Sequence, residues 1–181
     1  MSAAQRGEDV TAGWRAAFRE ITAGQSGECP PGMDLTFVLL FYCDVLAAPA
    51  AYAAALGPWV LDVSPAVVEF ALAAPFAHPL WVRLGRGAFR SEEDPEVRRE
   101  AAEAAYRAHA LSFADLYAPG SRLSSHQRRG LALDAWDLAW AAATRAAGPA
   151  RRGCCLIYAM PGAHACAGCP RVSGVSQPPV A

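Results

Sequence analysis

Lysine is absent from this chain, and all sixteen basic residues are arginine. Alanine is very abundant, and the two biases together most simply reflect GC-rich codons. Charge is scarce: charged residues make up 18% and the formal net charge is −1. Nothing in that balance argues for nucleic-acid binding. There is no internal repeat, phosphate-binding glycine loop, nucleophile elbow or paired-histidine zinc helix. Those absences set aside solenoid, nucleotide and triad chemistry. The N-terminal Met-Ser-Ala-Ala-Gln-Arg-Gly-Glu-Asp-Val has acidic residues where a secretory signal needs an apolar stretch, which predicts a cytoplasmic protein.

What is present is apolar. Over half of the 181 residues are hydrophobic, which is enough to bury one core without staples. The expectation is a single domain, 1–181, of predominantly α-helical α+β class. Residues 1–150 form a helical body with a β-hairpin near 66–84, 151–170 a cysteine-rich segment, and 171–181 a flexible tail.

Residues Leu35 to Leu56 are almost wholly apolar and about as long as a membrane-spanning helix. Asp44 near the middle would cost roughly 2.5–3.5 kcal/mol in a bilayer, and Pro49 would break the ladder. A buried core helix, kinked or ended at Pro49, is therefore expected rather than a membrane span. Loose attachment to the inner face of a membrane is compatible with it.

Elsewhere, Val10, Trp14, Phe18 and Ile21 share a helical face over residues 9–23. Gly24 to Asp34 reads as a loop, and Gly57-Pro58 ends the apolar helix. Alternation over Val68, Phe70 and Leu72, and over Leu80, Val82 and Leu84, predicts two strands of a hairpin with a long turn. Ser91-Glu-Glu-Asp-Pro95 looks like a helix start, and that helix runs to about Tyr117, where Pro119-Gly120 breaks it. Ser124-Ser125 caps a second helix carrying Leu131, Leu133, Trp136, Leu138 and Trp140, expected to end near Gly148-Pro149.

Four of the six cysteines lie within sixteen residues: Cys154, Cys155, Cys166 and Cys169. In a reducing cytosol such clusters bind metal or act catalytically more often than they form disulfides. Thiolates suit zinc, copper(I) and iron–sulfur clusters, and four of them complete one such site. Cys166-Ala-Gly-Cys169 can present two thiolates to one metal. The adjacent pair can converge only if the backbone bends there, since neighbours on a strand face opposite ways, and Gly153 is the expected bend. A structural zinc site and a general [2Fe–2S] electron carrier or sensor use the same donors and stay open as alternatives.

Two adjacent cysteines, ten residues, a cysteine, two residues and a last cysteine form a pattern that resembles the FhuF-like ferric-siderophore reductases. Arg151-Arg152, Leu156-Ile157-Tyr158, Pro161-Gly162 and the Cys-Pro170 ending agree with that family. Leu61-Asp-Val-Ser-Pro65 and the stretch Leu131 to Trp140 look like its corresponding segments. The resemblance implies a [2Fe–2S] cluster held by Cys154, Cys155, Cys166 and Cys169, with no catalytic residue beyond the cluster. It further implies a ferric siderophore as substrate and a cellular electron donor as partner.

Other residues near the motif carry two readings each. Arg151, Arg152 and Arg171 either favour the reduced cluster or are simply solvated. His164 could tune a ligand, but an exposed loop histidine is the plainer reading. Trp136, Trp140 and Tyr158 read as core before they read as electron conduits. Cys43 reads as a small buried hydrophobe, and Cys29, in a proline–glycine loop, as an exposed thiol.

Overall fold

A helix that is apolar on nearly every face needs neighbours on all sides, and α2 (Met33–Leu56) is such a helix. The computed structural model describes residues 9–74, 77–118 and 121–171. Expectations resting on residues 1–8, Pro75, Pro119-Gly120 and the tail from 172 lie outside that range. Around α2 pack α1 (Ala12–Ser26), α3 (Pro95–Leu116) and α4 (Ser125–Thr144). Of the described residues 53% are helical, and among them lie four α-helices and small antiparallel strand pairs. Its core is rich in alanine from α2, α3 and α4, filled out by Leu39, Leu46, Tyr106, Leu131 and Trp136.

The expected core helix is present, but it does not end at Pro49. It continues to Leu56, although proline removes the backbone donor that would have bonded the Val45 carbonyl. By length and composition α2 could cross a membrane, yet its most apolar stretch is half buried inside this fold. Asp44 points outward and is exposed.

α1 begins later than its apolar spacing predicts. Asp9 accepts from the Thr11 amide at 3.1 Å, the helix starts at Ala12, and Val10 is left 61% exposed ahead of it. Phe18 is buried and stacks on Phe37 at 5.3 Å. The indole of Trp14 donates to the Ala77 carbonyl at 2.7 Å.

Strands β2 (Val68–Leu72) and β3 (Pro79–Leu84) form the expected hairpin, with Glu69 opposite Arg83 and ion-paired to it. It is nested inside a second pair, β1 (Trp59–Leu61) with β4 (Phe89–Ser91). These strands have three residues each, too few for alternation to register. At the start of α3 the Asp94 carboxylate accepts from the Glu96 and Val97 amides, with Pro95 in the first helical position. Ser124 caps α4 through the Gln127 amide at 3.2 Å. That helix stops at Thr144, before Gly148-Pro149, because Arg145 turns left-handed at φ 57° and the Ala146 amide bonds back to the Ala141 carbonyl at 2.9 Å.

Candidate metal centre

After α4 the chain turns back along that helix, and Asp134 is where it is caught. This carboxylate is 2% exposed, in the middle of a largely apolar helix, a position that costs free energy unless its oxygens are fully bonded. It accepts from the Arg152 amide at 2.9 Å and from the Gly153 amide at 2.8 Å. The Arg152 guanidinium adds a contact at 3.2 Å and reaches Asp137 at 2.5 Å. The two amides that precede Cys154 are thus held by one buried anion.

The chain bends at Arg152 and Gly153, where a bend is expected, and the glycine is required there for a second reason. A Cβ there would lie 2.6 Å from the Leu131 side chain and 2.9 Å from its backbone nitrogen, so this glycine is needed for close approach to α4. Gly130 makes the matching contact, since its Cβ would meet that of Arg152 at 3.2 Å. The left-handed residue falls one step after the cysteine pair, at Leu156, φ 65°.

The carbonyls of the pair are tethered to different helices. Gln127 Nε2 on α4 donates to the Cys154 carbonyl at 3.1 Å. Thr36 on α2 places its hydroxyl 3.1 Å from the Cys155 carbonyl and 2.9 Å from that of Met33. A short 3₁₀ turn, Ile157–Ala159, follows.

Two tight turns then return the chain. Met160-Pro161-Gly162-Ala163 closes with Ala163 N–H to the Met160 carbonyl at 3.1 Å, with Gly162 at φ 72°. Proline second and a positive-φ glycine third is the composition a type II turn demands. Cys166-Ala167-Gly168-Cys169 repeats it: Cys169 N–H bonds the Cys166 carbonyl at 3.1 Å, and Gly168 has φ 69°. The Gly168 carbonyl accepts from the Arg151 amide at 3.0 Å, which fastens the Cys-x-x-Cys turn to the start of the segment.

Cys154, Cys155 and Cys169 are buried and Cys166 is partly exposed. The sulfurs of Cys155 and Cys166 meet at 3.6 Å, across the ten-residue gap, and Arg151 Nη1 lies 3.4 Å from Cys166 Sγ. Burial pushes the Cys166 thiol up to about 11, the Cys155 sulfur adds to the effect, and the Arg151 guanidinium opposes it. Among the described residues no group of three or more His, Cys, Asp or Glu side chains is gathered around a single metal position. The donor chemistry nevertheless fits an iron–sulfur centre: soft sulfurs with no carboxylate among them, two already converging from the two halves of the motif.

The remaining candidates separate cleanly. His164 is exposed. Arg151 is not solvated, its side chain being 9% exposed, whereas Arg171 lies over the Tyr158 ring at 5.1 Å. Trp136 is core, stacked on Tyr106 at 5.4 Å and on Trp140 at 6.0 Å. Cys43 is fully buried, its thiol raised to about 12 by burial, and Cys29 is half-buried. Asp134, Gln127 and Thr36 escaped the sequence reading. Of the three, only Asp134 left a signal, an acid between Leu133 and Ala135 with no partner nearby in sequence.

No curated protein and no solved structure matches the chain. Residues 151–171 match the family model of the FhuF 2Fe-2S C-terminal domain, so the cysteine-bearing end of this protein is a FhuF-like segment whose cofactor is a [2Fe–2S] cluster.

Proposed function

We propose that this protein is a cytoplasmic ferric-siderophore reductase in which Cys154, Cys155, Cys166 and Cys169 hold the cluster. The observation that carries the reading is the match of residues 151–171 to a 2Fe-2S domain, on a segment whose two cysteine halves converge at Cys155 and Cys166. When bound, the cluster supplies one electron at a time. The chain's own residues do the placing. Asp134 and Gly153 seat the first pair against α4, Thr36 and Gln127 hold the carbonyls of that pair, and the Gly168 turn brings the second pair back. Siderophore oxygens bind iron(III) far more tightly than iron(II), so a single electron releases the metal. No acid, base or nucleophile is needed from the protein, and a cellular reductant restores the electron.

The test mixes reduced protein with several ferric siderophores and follows iron(II) capture by a chelator. Reoxidation faster than with free ferric iron is expected for at least one siderophore. Equal rates for all of them would remove the substrate assignment. Serine at any of the four motif cysteines is expected to abolish or distort the cluster, and serine at Cys29 or Cys43 to leave iron and acid-labile sulfide per chain unchanged. Full iron content in a motif variant would strike that residue from the ligand set.

A further inference from the structure

Arg151 is a buried cation whose charge is only partly answered. Its side chain is 9% exposed and its Nε sits 3.9 Å from Asp134 Oδ2, without a hydrogen-bond partner among the described residues. Both oxygens of Asp134 are already engaged by the amides of Arg152 and Gly153 and by the Arg152 guanidinium. A guanidinium removed from water is costly unless negative charge meets it. The other end of this one reaches a sulfur, with Nη1 3.4 Å from Cys166 Sγ. Its main chain is fixed as well, because its amide holds the Gly168 carbonyl at 3.0 Å. The charge is therefore positioned from both ends of the residue.

We propose that Arg151 is the counter-ion of the metal-loaded site, a positioning residue that donates to the Cys166 sulfur and raises the reduction potential of the centre. This rests on the cysteine-ligated reading given above. Four thiolates make such a centre anionic, and reduction adds one further negative charge with no bond made or broken. A cation a few ångströms away stabilises the more negative state more strongly, and partial burial keeps solvent from screening the difference. Arg152 serves as the internal comparison: its guanidinium is 45% exposed and faces Asp134 and Asp137 rather than sulfur.

The deciding experiment is a mediated redox titration of the loaded protein, with dithionite as reductant and the paramagnetic resonance signal of the reduced form as readout. Arg151→Gln is expected to lower the ratio of reduced to oxidised protein about tenfold at the wild-type midpoint, equivalent to a downward shift of about 59 mV for one electron. Arg151→Lys, which keeps the charge but not the fork, retains most of the wild-type potential. Arg152→Gln shifts it less than Arg151→Gln. A wild-type midpoint in Arg151→Gln overturns the proposal, as does an equal shift in Arg152→Gln. Should Arg151→Gln fail to load, a tenfold drop in Arg151→Lys overturns it equally. Wild-type protein without iron and sulfide sinks the cluster reading, and this inference with it. A loaded wild type with unmoved variants sinks the inference alone.

Discussion

His109 has both ring nitrogens engaged, and their partners decide its tautomer. Nδ1 lies 2.5 Å from the Val63 carbonyl, which can only accept, so Nδ1 carries the proton. Nε2 is then the acceptor for the Tyr42 hydroxyl at 2.8 Å. Protonating Nε2 would turn the Tyr42 hydroxyl from donor to acceptor, costing it the bond it now donates, and would place a positive charge in a site only 7% exposed. Burial holds the imidazole below its ordinary value of 6.5, so the folded protein resists a proton that the unfolded chain accepts. Stability is therefore fully present above that value and falls as the pH drops below it. The melting temperature is expected to decline between pH 7 and pH 5.5, and His109→Gln to flatten that slope while melting lower at pH 7. An unchanged slope in the variant would remove His109 as its origin.

Among the elements, α4 has two roles: it fills the core with Leu131 and Trp136 and clamps the cysteine segment through Asp134. Asp134→Ala leaves the buried Gly153 amide and the part-buried Arg152 amide unpaired and two guanidiniums short of a carboxylate, a loss of about 3–5 kcal/mol by the usual cost of breaking a buried pair. Hydrogen exchange is the measurement: the Arg152 and Gly153 amides should exchange faster while the centre of α4 stays protected, with Asp134→Asn intermediate. Protection unchanged at both amides would dismiss the clamp. The same contrast explains what the sequence made legible. Ser124, Asp94 with Pro95, and the alternation around Phe70 and Val82 are local signals, each within a few residues of what it specifies. The β1–β4 pairing, the run of α2 through Pro49 and the seating of Gly153 on Leu131 depend on residues brought together only by the fold. The four cysteines lay in between: their spacing was plain, whereas the convergence of Cys155 and Cys166 needed the two turns at Gly162 and Gly168.

At the scale of the molecule, the large buried side chains come from the helices and the loop following β1, and the cysteine segment lies against that body. Tyr106 reaches the Ala132 carbonyl at 2.6 Å and Tyr117 the Leu35 carbonyl at 3.0 Å, bonds that tie helix to helix without the segment. Stripping the metal with acid and chelator is therefore expected to leave the far-ultraviolet helical signal intact while the visible absorption disappears. A loss of helix in step with the colour would mean that the metal, and not the helical core, organises the chain. Gly130 and Gly153 carry a last consequence, because a methyl at either would crowd the opposing strand of chain. They act as a coarse and a fine gauge of spacing: another protein with the same cysteine pattern but a side chain at the Gly153 position must hold its metal-binding stretch farther from this helix, whereas one at the Gly130 position asks for a shift of a few tenths of an ångström. Reading the residue at the Gly153 position thus sorts such proteins into close-docked and wide-docked forms.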